Sequence, residues 1–148
     1  MRFARKRIYQ IQNDILRTNL ENWFNEAPEE ERDIRQRVKN SIQIINSQLV
    51  VDGELDLTNT NICSLPQDLQ VGGDLNLADC INLLELPQGL HISGNLTLRG
   101  CTGLTELPHG LQVGGDLILG GYTHLTSPPQ ALQVGGDLNL SDCNNLLE

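Results

Sequence analysis

Aromatic residues are nearly absent from this 148-residue chain: two Phe, two Tyr and one Trp, or 3% of the total. Any core must therefore be aliphatic. Basic residues are nearly absent from residue 41 onward. The chain carries 10 Lys and Arg against 19 Asp and Glu, a net charge of −9. Nine of those ten basic residues fall in residues 1–40, where seven acids leave a net +2. Residues 41–148 hold only Arg99 against twelve acids, a net −11. Such an asymmetry marks two regions with different jobs. The acidity excludes non-specific nucleic-acid binding, which needs basic groups to neutralise phosphates. No apolar run approaches the roughly 20 residues of a membrane-spanning helix, so no membrane partner is expected. The start, Met1 to Arg7, is basic, but Gln10, Gln12, Asn13 and Asp14 occupy the place where a secretory signal would be apolar. The length is that of one domain.

What the chain has in quantity is repetition. From Val51 it reads VDGELDLTNTNICSLPQDLQ, VGGDLNLADCINLLELPQGLH, ISGNLTLRGCTGLTELPHGLQ, VGGDLILGGYTHLTSPPQALQ and a partial VGGDLNLSDCNNLLE. Leu55, Leu75, Leu96, Leu117 and Leu138 are equivalent, at spacings of 20, 21, 21 and 21. The x-Leu-x-Leu-x stretch alternates with period two and predicts a short strand with both leucines on one face. Further inward columns are Ile62/Leu83/Leu104/Leu125/Leu146, Leu65/Leu86/Leu107, Leu69/Leu90/Leu111/Leu132 and Val51/Val71/Ile92/Val113/Val134. One unit cannot bury its own apolar face, but stacked units share a continuous core. Pro66, Pro87, Pro108 and Pro129 belong on the return segment of each coil, since proline cannot join a ladder. Gly53, Gly73, Gly94, Gly115 and Gly136 precede each strand, where a positive φ or very close packing is required. Unit four departs from the pattern: Tyr122 replaces a Cys and Pro128 an inward Leu.

Ahead of the repeats, Ile8, Ile11, Ile15, Leu16, Leu20, Trp23 and Phe24 recur at helical spacing over residues 8–24. Pro28 fits the first turn of a second helix, with Glu29, Glu30 and Glu31 near its positive end. Ile34, Val38, Ile42 and Ile45 continue it as a stripe. Two helices form a hairpin that caps the exposed end of the solenoid. The expected organisation is a cap over residues 1–46 and repeats over 47–148. The repeats comprise four full units and a partial fifth and are expected to continue beyond Glu148. The fold class is an α/β solenoid with a parallel concave sheet, a period of about 21 and an N-terminal helical hairpin cap.

With the motifs Leu75-x-Leu77-x-x-Cys80, Leu96-x-Leu98-x-x-Cys101 and Leu138-x-Leu140-x-x-Cys143, the repeats resemble those of bacterial leucine-rich-repeat effectors of the LPX type. Members have a helical hairpin ahead of the first repeat, with a Trp…Ala-Pro…Arg pattern. Trp23, Ala27-Pro28 and Arg32 match it, followed by Leu55-Asp56-Leu57 and Ser64-Leu65-Pro66. The Val-Gly-Gly-Asp segment departs from the family and lengthens the unit to 21 residues. The resemblance implies a virulence protein secreted by a bacterium into the host cytoplasm, where the repeats bind a protein. Some members add a ubiquitin-ligase domain with its catalytic Cys in Cys-x-Asp. No Cys in this chain has that neighbour, so that domain is not expected within these residues.

Alternation places three columns outward on the concave face. The first is Glu54, Asp74, Asn95, Asp116, Asp137. The second is Asp56, Asn76, Thr97, Ile118, Asn139. The third includes Arg99. Neighbouring strands lie about 4.8 Å apart, so the first column approaches an acidic ladder. Two readings stand side by side: each Asp caps its own turn, or the column steers a basic partner. Ile118 and Arg99 break their columns, and Ile118 with Tyr122 nearby would form the apolar centre of an interface. Cys80, Cys101 and Cys143 read as buried free thiols. His91, His109 and His124 have no triad partners. The pattern Gly-Gly-x-Gly-x-Asp of calcium-binding rolls is missing, and no metal or cofactor is expected. The expected function is a non-enzymatic protein-interaction module that binds a host protein or inhibits another bacterial effector. The alternatives are the recognition part of a larger effector enzyme, such as a ubiquitin ligase, and a structural repeat protein within the bacterium.

Overall fold

A computed structural model describes residues 1–122 and 129–143. The expected inward residues Leu125 and Leu146, together with Pro128 and His124, lie outside the described residues. The chain opens with α1 (Arg2–Asn25), followed by a single 3-10 turn (Glu29–Glu31) and α2 (Arg32–Ser41). A hairpin of β1 (Ile42–Ile45) and β2 (Gln48–Val51) comes next. From there each coil contributes two short strands. They are β3 (Leu55–Asp56), β4 (Leu69–Val71), β5 (Leu75–Asn76), β6 (His91–Ile92), β7 (Leu96–Thr97), β8 (Gln112–Val113), β9 (Leu117–Ile118), β10 (Gln133–Val134) and β11 (Leu138–Asn139).

These strands form two sheets rather than one. The leucine strands stack in parallel in the order β3-β5-β7-β9-β11, as the alternation predicts. The Val/Ile column builds a second sheet, β1-β2-β4-β6-β8-β10, parallel except for the antiparallel β1–β2 pair. The register is the repeat itself: Leu55, Leu75, Leu96, Leu117 and Leu138 lie side by side. The coils contain no helix among the described residues, so the helical part of the fold is the cap alone.

Stacking buries the aliphatic columns. Leu75, Leu77, Leu83, Leu96, Leu98, Leu104 and Leu117 are all 0% exposed. Each such side chain contributes roughly 1.5–3 kcal/mol by leaving water. The core runs the length of the stack with Tyr122 and Trp23 as its buried aromatics.

The glycines between the two sheets are explained by closeness, not by handedness. Gly53 alone in that column has a positive φ, +101°. At Gly73 an added Cβ would lie 2.8 Å from the Gly53 carbonyl carbon, and at Gly94 it would lie 2.7 Å from that of Gly73. Backbones of successive coils therefore touch at this corner. The left-handed conformation falls elsewhere, just past each leucine strand at Asn59, Asp79, Gly100, Gly121 and Asp142, and ahead of the second sheet's strands at Asp68, Gly89, Gly110 and Ala131. All but Ala131 are Asn, Asp or Gly, the residues that tolerate it.

The cap differs from expectation in two ways. Ile42 and Ile45 do not extend the second helix. The β-branched run Ile42-Gln43-Ile44-Ile45 enters β1, and Asn46 and Ser47, both at positive φ (50° and 58°), close a two-residue hairpin. Positive φ at both central residues matches the twist of paired strands. Second, only the later part of α1 packs. Leu16, Leu20, Trp23 and Phe24 join the core, while Ile8, Ile11 and Ile15 remain exposed.

The joint between cap and coils centres on Arg35. Its Nε donates to Glu31 Oε2 at 3.0 Å, and both side chains are at most 5% exposed. The guanidinium lies 4.8 Å from the Trp23 ring centroid and also donates to the Trp23 carbonyl and to Cys63 Sγ. Trp23 Nε1 donates to Ser64 Oγ of the first coil at 3.2 Å. Arg32, which matches the Trp…Ala-Pro…Arg pattern, is exposed, and the arginine that reaches the tryptophan is Arg35.

Candidate interaction face

The outward side of the five-strand sheet carries eleven of the twelve expected binding residues. Asp56, Asn76, Thr97, Ile118 and Asn139 run side by side across β3, β5, β7, β9 and β11. Glu54, Asp56, Asp74, Asn76, Asn95, Thr97 and Ile118 line one shallow depression. Arg99, Ile118 and Asn139 line an adjoining one with Asp79, Gly120, Ser141 and Asp142. Ile118 stands between the two, half-buried rather than exposed. Asp116 and Asp137 sit at the corner edge of the same face.

Tyr122 is the exception and a correction. It is 1% exposed and lies in the core, in the column otherwise held by Cys80, Cys101 and Cys143. Period-two alternation ends with the strand, so the third residue after Leu119 turns inward. Tyr122 cannot offer a surface to a partner. Asp79 and Asp142, which the strand alternation missed, reach the second depression from the left-handed turn column. The recurrence of Asp, Asn or Gly one residue before the Cys column was the signal for them.

The first column forms a ladder, but not the one either expectation described. At each corner two successive amides point toward the preceding coil. Gly94 N–H takes the Gly73 carbonyl at 3.0 Å. That leaves Asn95 N–H, which takes Asp74 Oδ1 at 2.7 Å. The same pairing joins Asp116 N–H to Asn95 Oδ1 at 2.7 Å and Asp137 N–H to Asp116 Oδ1 at 2.8 Å. Each side chain therefore caps the next coil and not its own turn. A short side chain ending in an acceptor oxygen satisfies the geometry, which is why either Asp or Asn serves at positions 74, 95 and 116. The backbone amides supply the positive partial charge that carboxylates stacked in register require.

The second column caps locally. Asp56 Oδ1 accepts from the Thr58 hydroxyl at 2.6 Å and the Thr58 amide at 3.0 Å. These donors hold its carboxyl below the ordinary aspartate range, the hydroxyl contributing most, with Arg37 as a smaller influence. Asn76 accepts from the Ala78 amide, and Asn139 from the Ser141 amide and hydroxyl. Thr97 and Ile118 break this pattern in the central coils.

The four thiols are free. Cys80, Cys101 and Cys143 each donate from Sγ to a leucine carbonyl of an earlier coil (Leu57, Leu77 and Leu119), at 3.0, 3.0 and 3.3 Å. Burial pushes the Cys101 thiol up to about 12, so it stays protonated at neutral pH. Burial also raises Cys63, with Glu31 beside it adding to the shift. Among the described residues no three His, Cys, Asp or Glu side chains are grouped as metal ligands.

Fold and face together define the chain as a capped β-solenoid of roughly 21-residue coils with an acidic, shallow sheet face. Comparison with known proteins finds no matching family model, no similar curated protein and no similar solved structure.

Proposed function

We propose that this is a leucine-rich-repeat protein of the bacterial effector type, a non-enzymatic module that is secreted into a host cell and holds a protein on its five-strand face. The observation that carries the reading is the grouping of the expected residues around two adjoining depressions, with Ile118 between them at the middle of the face. An apolar centre within a polar rim is the usual anatomy of a protein interface. The acidic rim favours a basic partner and accelerates its encounter. The effector assignment is supported by the repeat motifs and by Trp23 and Ala27-Pro28 in the hairpin. The partner is a host protein or another bacterial effector that the module occludes.

The corner ladder dictates how to test this. Replacing Asp74 or Asp116 by Lys would remove an acceptor as well as a charge. Asp→Asn removes the charge and keeps the oxygen. Affinity capture from host and bacterial lysates is therefore run with wild type, with Ile118→Glu, and with Asp56→Asn/Asp74→Asn/Asp116→Asn/Asp137→Asn. Each variant is checked for a native thermal transition. The expected result is a partner held by wild type and lost by folded Ile118→Glu, with weaker capture by the neutralised variant. A partner retained by both folded variants refutes the face.

A further inference from the structure

The first half of α1 has a feature that capping does not use. At 1.5 Å per residue the 24-residue helix is roughly 36 Å long. Residues 1–12 are all exposed. Ile8 and Ile11 in this part, and Ile15 just beyond the buried Asn13, follow i, i+3, i+7 spacing and are 56%, 50% and 54% exposed. They are not the near edge of the packed face. At 3.6 residues per turn their stripe lies about a third of a turn from that of Leu16, Leu20 and Trp23. α1 therefore carries two apolar stripes, and only one is covered. The free one stops at Ile15, since Asn19 and Asn22 continue its line.

Charge follows the same boundary. Arg2, Arg5, Lys6 and Arg7 precede the first acid, Asp14. On a helical projection Arg5 and Arg7 flank the isoleucine stripe on its two sides. Long basic side chains in that position can lay their stems along apolar surface while the charge stays in water.

We propose that residues 2–15 of α1 lie in the surface of an anionic lipid bilayer, with Ile8, Ile11 and Ile15 in the acyl boundary and Arg2, Arg5, Lys6 and Arg7 among the headgroups. The charge distribution selects this occupant. A basic amphipathic helix binds such surfaces through apolar burial and anionic attraction together. The five-strand face of a second copy offers negative charge but only Ile118 as apolar surface at its centre. A second copy paired stripe to stripe would set Arg5 and Arg7 against their counterparts. The solenoid, at a net −11 over residues 41–148, is repelled by the same lipid, so the helix alone makes the contact. The expectation of no membrane partner rested on the lack of a spanning segment. No described helix is long and apolar enough to cross a bilayer, and a helix lying on the surface does not need to be.

The test is cosedimentation of the full chain with vesicles of phosphatidylcholine alone or of phosphatidylcholine containing phosphatidylserine. The proposal requires binding to the anionic vesicles, at least tenfold weaker binding to neutral ones, and loss of binding with added salt. Each neutralised basic residue is expected to weaken binding about fivefold. Arg5→Gln/Lys6→Gln/Arg7→Gln should thus bind on the order of a hundredfold less tightly by the same rule. Ile8→Asn/Ile11→Asn should also abolish binding while leaving the thermal transition unchanged, because both residues are exposed. Equal affinity for the two vesicle types overturns the proposal, as does binding that survives either variant. Wild-type protein that ignores both vesicles but forms a dimer lost in Ile8→Asn/Ile11→Asn also overturns it and assigns the stripe to a second copy.

Discussion

In the coils the core leucines and the corner bonds recur at the repeat spacing, whereas in the helical hairpin each stabilising contact occurs once. Leu75, Leu96 and Leu117 are interchangeable in environment, and so are the corner bonds of Asp74, Asn95 and Asp116. The hairpin depends on one arginine, one tryptophan and one buried glutamate. A repeated contact spreads the cost of a defect among neighbours that are all alike. A single contact concentrates it. The charge follows the same division, since the region of unique contacts is basic and the periodic region acidic.

The comparison breaks most severely at a core leucine. Leu96 is 0% exposed and flanked by Leu75 and Leu117. Leu96→Asp would bury a charge with no counter-ion and is expected to abolish the cooperative thermal transition. Leu96→Ala is expected to cost about 2–5 kcal/mol in chemical denaturation. A loss well under 1 kcal/mol would mean that the coils do not share one core.

Arg35 is the corresponding point in the cap. Removing one partner of a buried ion pair leaves the other charge uncompensated, at about 3–5 kcal/mol. Arg35→Ala should therefore cost nearly as much as a core leucine, yet its effect should stay local. Trp23 is the only tryptophan and reports the joint directly. Its fluorescence should shift to the red at a lower denaturant concentration than the loss of strand signal. Coincident transitions would show that cap and coils unfold as one unit.

The corner ladder gives a smaller, sharper contrast. Asp74→Ala deprives the Asn95 amide of its acceptor in an exposed bond, at roughly 0.5–1.5 kcal/mol. Asp74→Asn keeps the oxygen and should cost only a few tenths on the same reasoning. Equal losses in the two variants would make charge, not the acceptor, the stabilising element.

How much of this was legible follows from the same division. Periodicity exposed the leucine columns, their register and the outward columns, because every inference could be checked against the next unit. It did not expose the second sheet. Its alternation, Leu69-Gln70-Val71, Leu90-His91-Ile92 and Leu111-Gln112-Val113, was present, but its two inward columns were read separately and not as one strand. The repeat register did put Tyr122 in the Cys column, and its place in the interface rested on nearness to Ile118, which its burial overrides. In the hairpin, the stripe of Ile34 and Val38 ran on into Ile42 and Ile45 because helical spacing cannot tell where a helix ends. The β-branched run and the Asn46-Ser47 pair carried that information. Arg35 was not singled out, because burial alone sets it apart from the hairpin's other arginines. On the sheet face the residues were legible, but the bonds of Asp74 to the next coil were not. They depend on two neighbouring amides turning toward the same side.

The mildest expected effect concerns Asp56, the one exposed carboxyl in the second column that is capped within its own turn. Its pKa is lowered chiefly by the Thr58 hydroxyl and then by the Thr58 amide. A group whose pKa falls on folding stabilises the native state above its unfolded value, and that contribution is lost as pH drops through the folded value. Asp56 should therefore matter only in strong acid and leave stability flat through neutrality. Thr58→Val removes the hydroxyl donor and keeps the amide. The carboxyl resonance of Asp56, followed by NMR, should then titrate closer to the ordinary aspartate value without fully reaching it. An Asp56 titration unchanged by Thr58→Val would shift the cause to the Thr58 amide, which ranks ahead of Arg37, and the turn would then owe its order to the backbone and not to the hydroxyl.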